Sequence, residues 1–239
     1  MKTALKSTSI IAIALLVITS CAGGKTENLP GITKGMKDSV SYAVGASLGS
    51  IIQQADLGEL NMSEVYKAIE DVLADKKLKV DLTTSNQIIT TFITKRQEAL
   101  SVQNTEAAKK FLEENKDKEG VIELESGLQY KILAEGNGVK PSPVDTIEVH
   151  YKGTLIDGTQ FDSSYDRDET ATLILNKFIP GWVEGMQYVS EGGKIQLFIP
   201  SELAYGNQAA GNIKPGSALI FEVELISVKK GPEVEEEEK

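Results

Sequence analysis

The chain has 239 residues, 41% of them hydrophobic, and a formal net charge of −10. Because a surface that binds nucleic-acid phosphates must be basic, this acidic balance argues against a nucleic-acid partner. There is a single cysteine, Cys21, and a single histidine, His150, so the chain can form no internal disulfide and cannot supply the several His and Cys ligands of a zinc site. We therefore expect no metal site built from His and Cys ligands.

The first residues have the layout of a secretion signal. Two lysines precede an apolar run over 10–18 that is too short to span a membrane, so residues 1–20 are predicted to be a signal peptide. Small residues flank Cys21, and this arrangement resembles a bacterial lipoprotein signal. The resemblance implies lipidation of Cys21 and a lipid anchor in a bacterial cell envelope, in the periplasm or at the cell surface. An ordinary signal peptide with an incidental cysteine is the alternative. Residues 21–36 predict a flexible tether.

Residues 37–83 carry the spacing of two helices. Apolar residues over 40–55 and again over 65–73 recur at helical intervals, and Asn61 or Ser63 is predicted to cap the second helix. Such short helices bury little apolar surface by themselves. We expect this segment to be a dimerisation domain that packs against a second copy of the chain. Packing onto the C-terminal half of the same chain is the alternative.

Residues 84–118 predict one long connecting helix, because the stretch from Thr84 to Lys116 contains neither glycine nor proline. At 1.5 Å per residue such a helix spans roughly 50 Å. Its apolar residues are dense over 88–93, sparse over 97–105 and present again at 111–112. This distribution predicts a buried N-terminal end, an exposed middle and a short contact with the next domain.

From residue 119 the pattern changes from helical to alternating. Short alternating runs separated by Gly- and Pro-rich turns predict strands over 128–132, 147–151, 171–175, 195–199 and 219–225. One short helix over 181–188 contains Trp182. Residues 119–230 therefore predict an α+β domain in which an antiparallel sheet wraps around a short helix. The Glu-rich residues 231–239 predict a disordered acidic tail.

One hairpin in this half carries an unusual group of side chains. Asp157 and Gly158 form a turn signal between two alternating runs. Around that turn, Tyr151, Phe161 and Asp162 can bring two rings and a carboxylate to one face. His150 has the opposite phase of the alternation, so it is predicted to point away from the core and to have no catalytic role.

Five sequence blocks resemble the FKBP family of peptidyl-prolyl cis-trans isomerases, in the family's order and spacing over roughly residues 123–229. They are VHYKG at 149–153, FDSS at 161–164, IPGW at 179–182, LAYG at 203–206 and LIFEVEL at 219–225. Upstream, the blocks at 38–45, 111–116 and 126–130 resemble the macrophage infectivity potentiator (Mip) group of lipoproteins. That group implies a V-shaped homodimer with interlocked N-terminal helices and a long helix leading to each isomerase domain.

The resemblance implies a peptidyl-prolyl isomerase (EC 5.2.1.8) that assists the folding of exported or envelope proteins. Rotation about an X–Pro bond crosses a barrier of about 18–20 kcal/mol because the amide loses its conjugation. An apolar pocket favours the twisted amide over the hydrated planar one, and the reaction needs no nucleophile, metal or cofactor. The implied partners are proline-containing peptides, unfolded exported proteins and macrolide inhibitors.

The family pattern also implies a role for each pocket residue. The residues expected to take part directly in catalysis are Tyr151, Asp162, Tyr205 and Ile179. The hydroxyl of Tyr205 and the backbone N–H of Ile179 would donate to the bound peptide, and Asp162, held by Tyr151, would present a polar edge to the twisting carbonyl. The substrate-binding residues are Phe161, Phe178, Trp182 as the pocket floor, Ile213 and Phe221. Each aromatic residue taken alone fits core packing as well.

Two positions depart from the family pattern, and two other functions compete with catalysis. Ala171 replaces a large aromatic residue and Asn212 an apolar one, which implies a wider pocket rim and altered substrate and macrolide preference. A dimeric chaperone or peptide-binding module in which isomerisation is secondary is the main alternative function. A module that recognises a single proline-containing partner is the other.

Overall fold

The structure is a computed structural model that describes residues 29–232. The predicted signal peptide, Cys21 and residues 233–239 of the predicted tail lie outside the described residues. Within the described range, no helix is both long and apolar enough to cross a membrane. The chain divides into two compact units, one ending at Ala55 and one starting at Asp56.

The first unit contains helix α1, Lys34–Gln54. Thr33 caps this helix, because its side chain accepts a hydrogen bond from the backbone N–H of Met36 at 3.2 Å. The cap explains why the helix begins before the apolar positions that predict it. No residue of α1 is buried, and Val40 and Val44 are 63% and 55% exposed. The helix therefore presents apolar side chains to solvent.

The second unit begins with two helices, α2 over Met62–Leu73 and α3 over Leu82–Asn115. Asn61 caps α2 by accepting a hydrogen bond from the backbone N–H of Ser63, so Asn61 is the right one of the two predicted caps. Asp81 caps α3 in the same way. The predicted helical N-terminal part and the long helix are thereby confirmed.

The packing of α3 differs from its prediction. Ile88 and Phe92, predicted to be buried, are 53% and 45% exposed. The middle of the helix, predicted to be exposed, instead packs on the C-terminal domain. The half-buried and buried positions of α3 from there to its end are 101, 104, 105, 108, 111, 112 and 115. They are spaced as one face of a helix, and polar residues at the first three hide this face from a search for apolar spacing.

The C-terminal domain is a seven-stranded antiparallel sheet. Its strands are β1 (Val121–Glu123), β2 (Gln129–Ala134), β3 (Thr146–Leu155), β4 (Gln160–Ser163), β5 (Ala171–Ile174), β6 (Lys194–Ile199) and β7 (Leu219–Lys229). The strand order is β1-β2-β6-β7-β3-β4, and β5 pairs with the first half of β3. The short strand β1 is the only one that the alternation does not predict.

Helix α4, Pro180–Gly185, lies against the inner face of the sheet. Gly181 and Gly185 allow this close approach, because a Cβ atom at either position would collide with the side chain of Ile199 or Leu197 of β6. A 3₁₀ turn over Met186–Tyr188 follows, so the predicted helix is shorter than expected. The predicted α+β fold, with an antiparallel sheet around a short helix, is confirmed.

Candidate active site

A cavity of about 410 Å³ opens between α4 and the concave side of the sheet. Its lining includes all nine residues that the sequence assigns to catalysis or substrate binding, namely Tyr151, Phe161, Asp162, Phe178, Ile179, Trp182, Tyr205, Ile213 and Phe221. Leu173, Ala210, Gly211 and Asn212 complete the lining. These residues come from β3, β4, β5, β7, the start of α4 and the loop before β7, so the fold gathers distant parts of the chain at one place.

Trp182 lies at the base of the aromatic cluster and is 2% exposed. The rings of Tyr151 and Phe221 meet it edge-on, with centroid distances of 5.6 and 5.2 Å. Phe178 stacks on it at 5.7 Å. Edge-to-face and offset stacking are the arrangements that aromatic rings prefer, so these contacts hold the indole in place. The buried indole N–H has no hydrogen-bond partner within residues 29–232.

A glycine lets two walls of the cavity meet. Phe161 of β4 and Phe221 of β7 pack edge-to-face at 5.4 Å, over the backbone of Gly153 in β3. A Cβ atom at Gly153 would lie 2.6 Å from the Phe161 ring and 2.9 Å from the Phe221 ring. Any larger residue there would push the two rings apart. The absence of a side chain at Gly153, the glycine of the VHYKG block, is therefore required by the packing of these two rings.

One edge of the cavity is polar and fully hydrogen-bonded. The hydroxyl of Tyr151 donates to Oδ2 of Asp162 at 2.5 Å. Arg167 donates from Nη1 to Oδ1 of Asp162 at 2.6 Å and from Nη2 to the Tyr151 oxygen at 2.9 Å. The backbone N–H of Ser163 also donates to Oδ1, at 2.8 Å. Both carboxylate oxygens are thus fixed in position.

These contacts set the protonation state of the pair. Burial acts to raise the pKa of Asp162, but the hydrogen bonds from Tyr151 and Arg167 outweigh it and hold that pKa below its ordinary value. Burial and the neighbouring Asp162 carboxylate together raise the pKa of Tyr151. At neutral pH the pair therefore consists of a carboxylate and a neutral phenol that donates to it.

Besides the indole N–H of Trp182, two of the other hydrogen-bond donors of cavity residues have no acceptor within the part of the chain that the structure describes. One is the backbone N–H of Ile179, whose own carbonyl accepts bonds from the first turn of α4. The other is the hydroxyl of Tyr205, a side chain that is 42% exposed at the mouth of the cavity. A peptide carbonyl entering the cavity would find both donors available.

Comparisons with known proteins agree with this geometry. The sequence model of the FKBP-type peptidyl-prolyl cis-trans isomerase matches residues 137–226, and that of the domain amino-terminal to it matches residues 37–132. The FKBP-type isomerase FkpA of Aeromonas hydrophila is 39% identical over 209 residues, which cover 82% of this chain and 78% of that protein. The isomerase Mip of Coxiella burnetii is 36% identical, over 87% of this chain and 93% of that protein.

The crystal structure of FkpA from Escherichia coli superimposes with a TM-score of 0.69 at 36% identity, covering 84% of this chain and all of that one. The chain belongs to the FKBP family of peptidyl-prolyl cis-trans isomerases. The predicted enzyme class, EC 5.2.1.8, is confirmed by this membership.

The structure also shows the positions of four residues that are not among the nine assigned by the FKBP resemblance. Arg167 was missed, because it lies in a 3₁₀ turn after β4 and only its position five residues after Asp162 hints at a contact. His150 stacks on Tyr165 at 4.7 Å and does not line the cavity, in agreement with its predicted direction. Ala171 does not line the cavity either, and Leu173 is the lining residue from β5. Asn212 is a lining residue.

Proposed function

We propose that this isomerase twists X–Pro bonds of exported or envelope proteins inside the aromatic cavity. One observation carries the proposal. Apolar aromatic walls, a fixed Asp162 carboxylate, and the donors of Ile179 and Tyr205 all lie around one cavity. Removal of water around the amide disfavours the planar, strongly hydrated state, and each 1.4 kcal/mol of preference for the twisted state accelerates rotation tenfold.

Each group has a proposed part in this step. The prolyl ring rests on Trp182, while the N–H of Ile179 and the hydroxyl of Tyr205 bind peptide carbonyls. Asp162 presents its charge to the carbonyl that is losing conjugation. Because Tyr151 and Arg167 already hold the carboxylate, no reorganisation is needed when the amide twists. The side walls of the cavity exclude water from the bound amide, and they are formed by Phe161, Phe178, Ile213 and Phe221.

The test is the Asp162→Ala/Tyr205→Phe double variant in a protease-coupled assay with a proline tetrapeptide, with and without a macrolide. We expect kcat/KM to fall by about tenfold to a hundredfold, since a charged hydrogen-bonding edge and one donor are lost. The matched control, Asp166→Ala/Tyr188→Phe, changes the same residue types outside the cavity and is expected to keep full activity. A double variant as active as this control would refute the assigned roles.

We also propose a lipid-anchored homodimer. The apolar side chains of α1 and α2 support an association through residues 37–83, because α1 buries no residue and Tyr66 and Leu73 of α2 are 60% and 82% exposed. A relative that is 37% identical bears the name outer membrane protein MIP, from Legionella longbeachae. That name and the sequence around Cys21 support attachment to the cell envelope through this cysteine.

A second function, that of a chaperone, rests on the same exposed apolar side chains. Apolar side chains on α1 and α2 can bind unfolded chains as well as a second copy. The inactive double variant separates the two functions. If it still suppresses the aggregation of an unfolded protein, the chaperone function is independent of isomerisation. If suppression is lost together with isomerase activity, the chaperone proposal is withdrawn.

A further inference from the structure

Helix α3 contacts the loop that forms one side of the cavity. This rim loop, residues 206–216, follows Tyr205 and contributes Ala210, Gly211, Asn212 and Ile213 to the lining. Its two ends are joined by a hydrogen bond from the backbone N–H of Gly216 to the carbonyl of Gly206 at 2.8 Å. We call these two joined ends the base of the rim loop. The position of this base therefore affects the positions of Tyr205 and Ile213 in the cavity.

Two side chains of α3 hold the two ends of the rim loop. The hydroxyl of Ser101 donates to Oδ1 of Asn207 at 2.7 Å, next to Gly206. The side-chain amide of Asn104 donates to the carbonyl of Pro215 at 2.8 Å, next to Gly216. Pro215 is buried, so its carbonyl depends on this donor more than an exposed carbonyl would.

The loop backbone also rests directly on α3 at Gly216. This glycine has a φ of +75°, and a Cβ atom there would collide with the carbonyl oxygen of Ser101 and lie 2.7 Å from Oγ1 of Thr105. No side chain separates the loop from the helix at this point. A change in the direction of α3 would therefore move the base of the loop with it.

The C-terminal end of α3 is fixed to the sheet, so the contacts at Ser101 and Asn104 have a rigid support. The buried side chain of Asn115 donates to Oε1 of Gln129 at 2.9 Å, and Gln129 donates back to the carbonyl of Leu112 at 2.8 Å. The helix is thus anchored to the sheet at one end and contacts the rim loop about three turns earlier.

From these contacts we propose that Ser101 and Asn104 are positioning residues for the isomerase site. They fix the base of the rim loop and thereby place Tyr205 and Ile213 for the bound peptide. This inference rests on the proposed role of the cavity. It assigns to the connecting helix a share in substrate affinity, in addition to its role as a spacer.

The Ser101→Ala/Asn104→Ala variant of the full chain tests the proposal. We expect KM for a proline tetrapeptide to rise about threefold to tenfold, because the rim loop becomes more mobile. We expect kcat to stay within about twofold, because the polar edge formed by Asp162, Tyr151 and Arg167 is unchanged. Hydrogen exchange in 206–216 should accelerate. The control, Gln103→Ala/Glu106→Ala, changes the exposed side of the same turn and is expected to leave KM unchanged. A KM equal to that of the control would overturn the proposal.

A second pair of variants tests the same contact by steric means. Gly216→Ala forces the loop away from Ser101, whereas Gly158→Ala has a similar positive φ with no atom within 4 Å of its Cβ. We expect only the first to raise KM. If both raise KM equally, backbone strain accounts for the effect and the inference fails. If the α3 variants match their controls while Asp162→Ala/Tyr205→Phe is inactive, the cavity assignment stands and this inference alone is wrong.

Discussion

The N-terminal helices and the isomerase domain use apolar residues in opposite ways. Among residues 29–232, every buried apolar side chain except Ala108 lies between Leu128 and Leu225. In α1 and α2, by contrast, residues of the same kind such as Val40 and Leu73 are more than half exposed. The sheet closes its own core around α4, whereas α1 and α2 each have too little surface to form a core of their own. The isomerase domain is therefore complete as one chain, whereas the N-terminal helices leave apolar side chains uncovered in the single chain.

The largest expected change is a loss of folding stability caused by a substitution in the core of the isomerase domain. Leu197 of β6 is fully buried and contacts α4 at Gly185. Leu197→Ala leaves a cavity there, and we expect the free energy of unfolding to fall by about 2–5 kcal/mol. Urea unfolding followed by the fluorescence of Trp182, the one tryptophan of the chain, measures it. The loss should be the same at low and high protein concentration, and a concentration-dependent loss would contradict a self-contained core.

A change in the first helix is expected to act through association instead. Leu48 of α1 is 41% exposed, and Leu48→Asp would place a charge in the proposed dimer interface. We expect the dissociation constant of the dimer, measured by sedimentation velocity, to rise roughly a hundredfold. Val102→Asp on α3 is the control, since it makes the same kind of change at a side chain that is 62% exposed and outside residues 37–83. Equal behaviour of the two variants would argue against the proposed interface.

The smallest expected change in stability comes from ion pairs, whose carboxylate is buried at Asp145 in the isomerase domain and exposed at Glu64 near α2. Asp145, 1% exposed, accepts bonds from Lys230 Nζ at 2.8 Å and from the backbone N–H groups of Ser142 and Gly231. Burial acts to raise the pKa of Asp145, but these donors prevail and lower it far below its ordinary value. A carboxyl whose folded-state pKa is lowered stabilises the protein above its unfolded-state pKa, near 4, and loses this contribution as the pH falls towards the folded-state pKa.

Asp145→Asn is therefore expected to reduce the free energy of unfolding by about 1–3 kcal/mol at pH 7, and the difference from the natural chain should shrink below about pH 4. Urea unfolding at several pH values measures this. Lys79→Ala, which removes the exposed Lys79–Glu64 pair at 2.6 Å near α2, should leave the midpoint unchanged. A difference at Asp145 that persists undiminished at low pH would show that the charge is not its source.

Regular patterns made most of the fold predictable. Strands β3 and β7 follow from alternation, because their inner residues are buried and their outer residues are less so. Strands β2 and β6 also follow from alternating apolar residues, although their outer residues Gln129 and Phe198 are buried against α3. The hairpin follows from Asp157 and Gly158, whose glycine has a φ of +85°. Strand β1 was missed because three residues are too few to show a period.

The candidate site was predictable where its residues belong to contiguous blocks, and less so elsewhere. Tyr151, Asp162 and Trp182 sit in such blocks, and the structure gathers them in one cavity. Arg167 lies in a 3₁₀ turn, where no period points to the Asp162 carboxylate. Ser101 and Asn104 are polar residues on a helical face, and apolar periodicity cannot detect them. These contacts depend on tertiary packing, which local patterns do not encode.

The docking of α3 gives the molecule a mechanical property. Nineteen positions separate Leu82 from Ser101, so about 28 Å of helix extends beyond the grip on the rim loop. Over that length a tilt of about 10° displaces the free end by roughly 5 Å, while the atoms at the grip shift by a small fraction of this. The helix can thus act as a lever that pivots beside the aromatic cavity. If Ser101 and Asn104 position the rim loop as proposed, a force on the N-terminal end of α3 would displace Tyr205 by only a small distance.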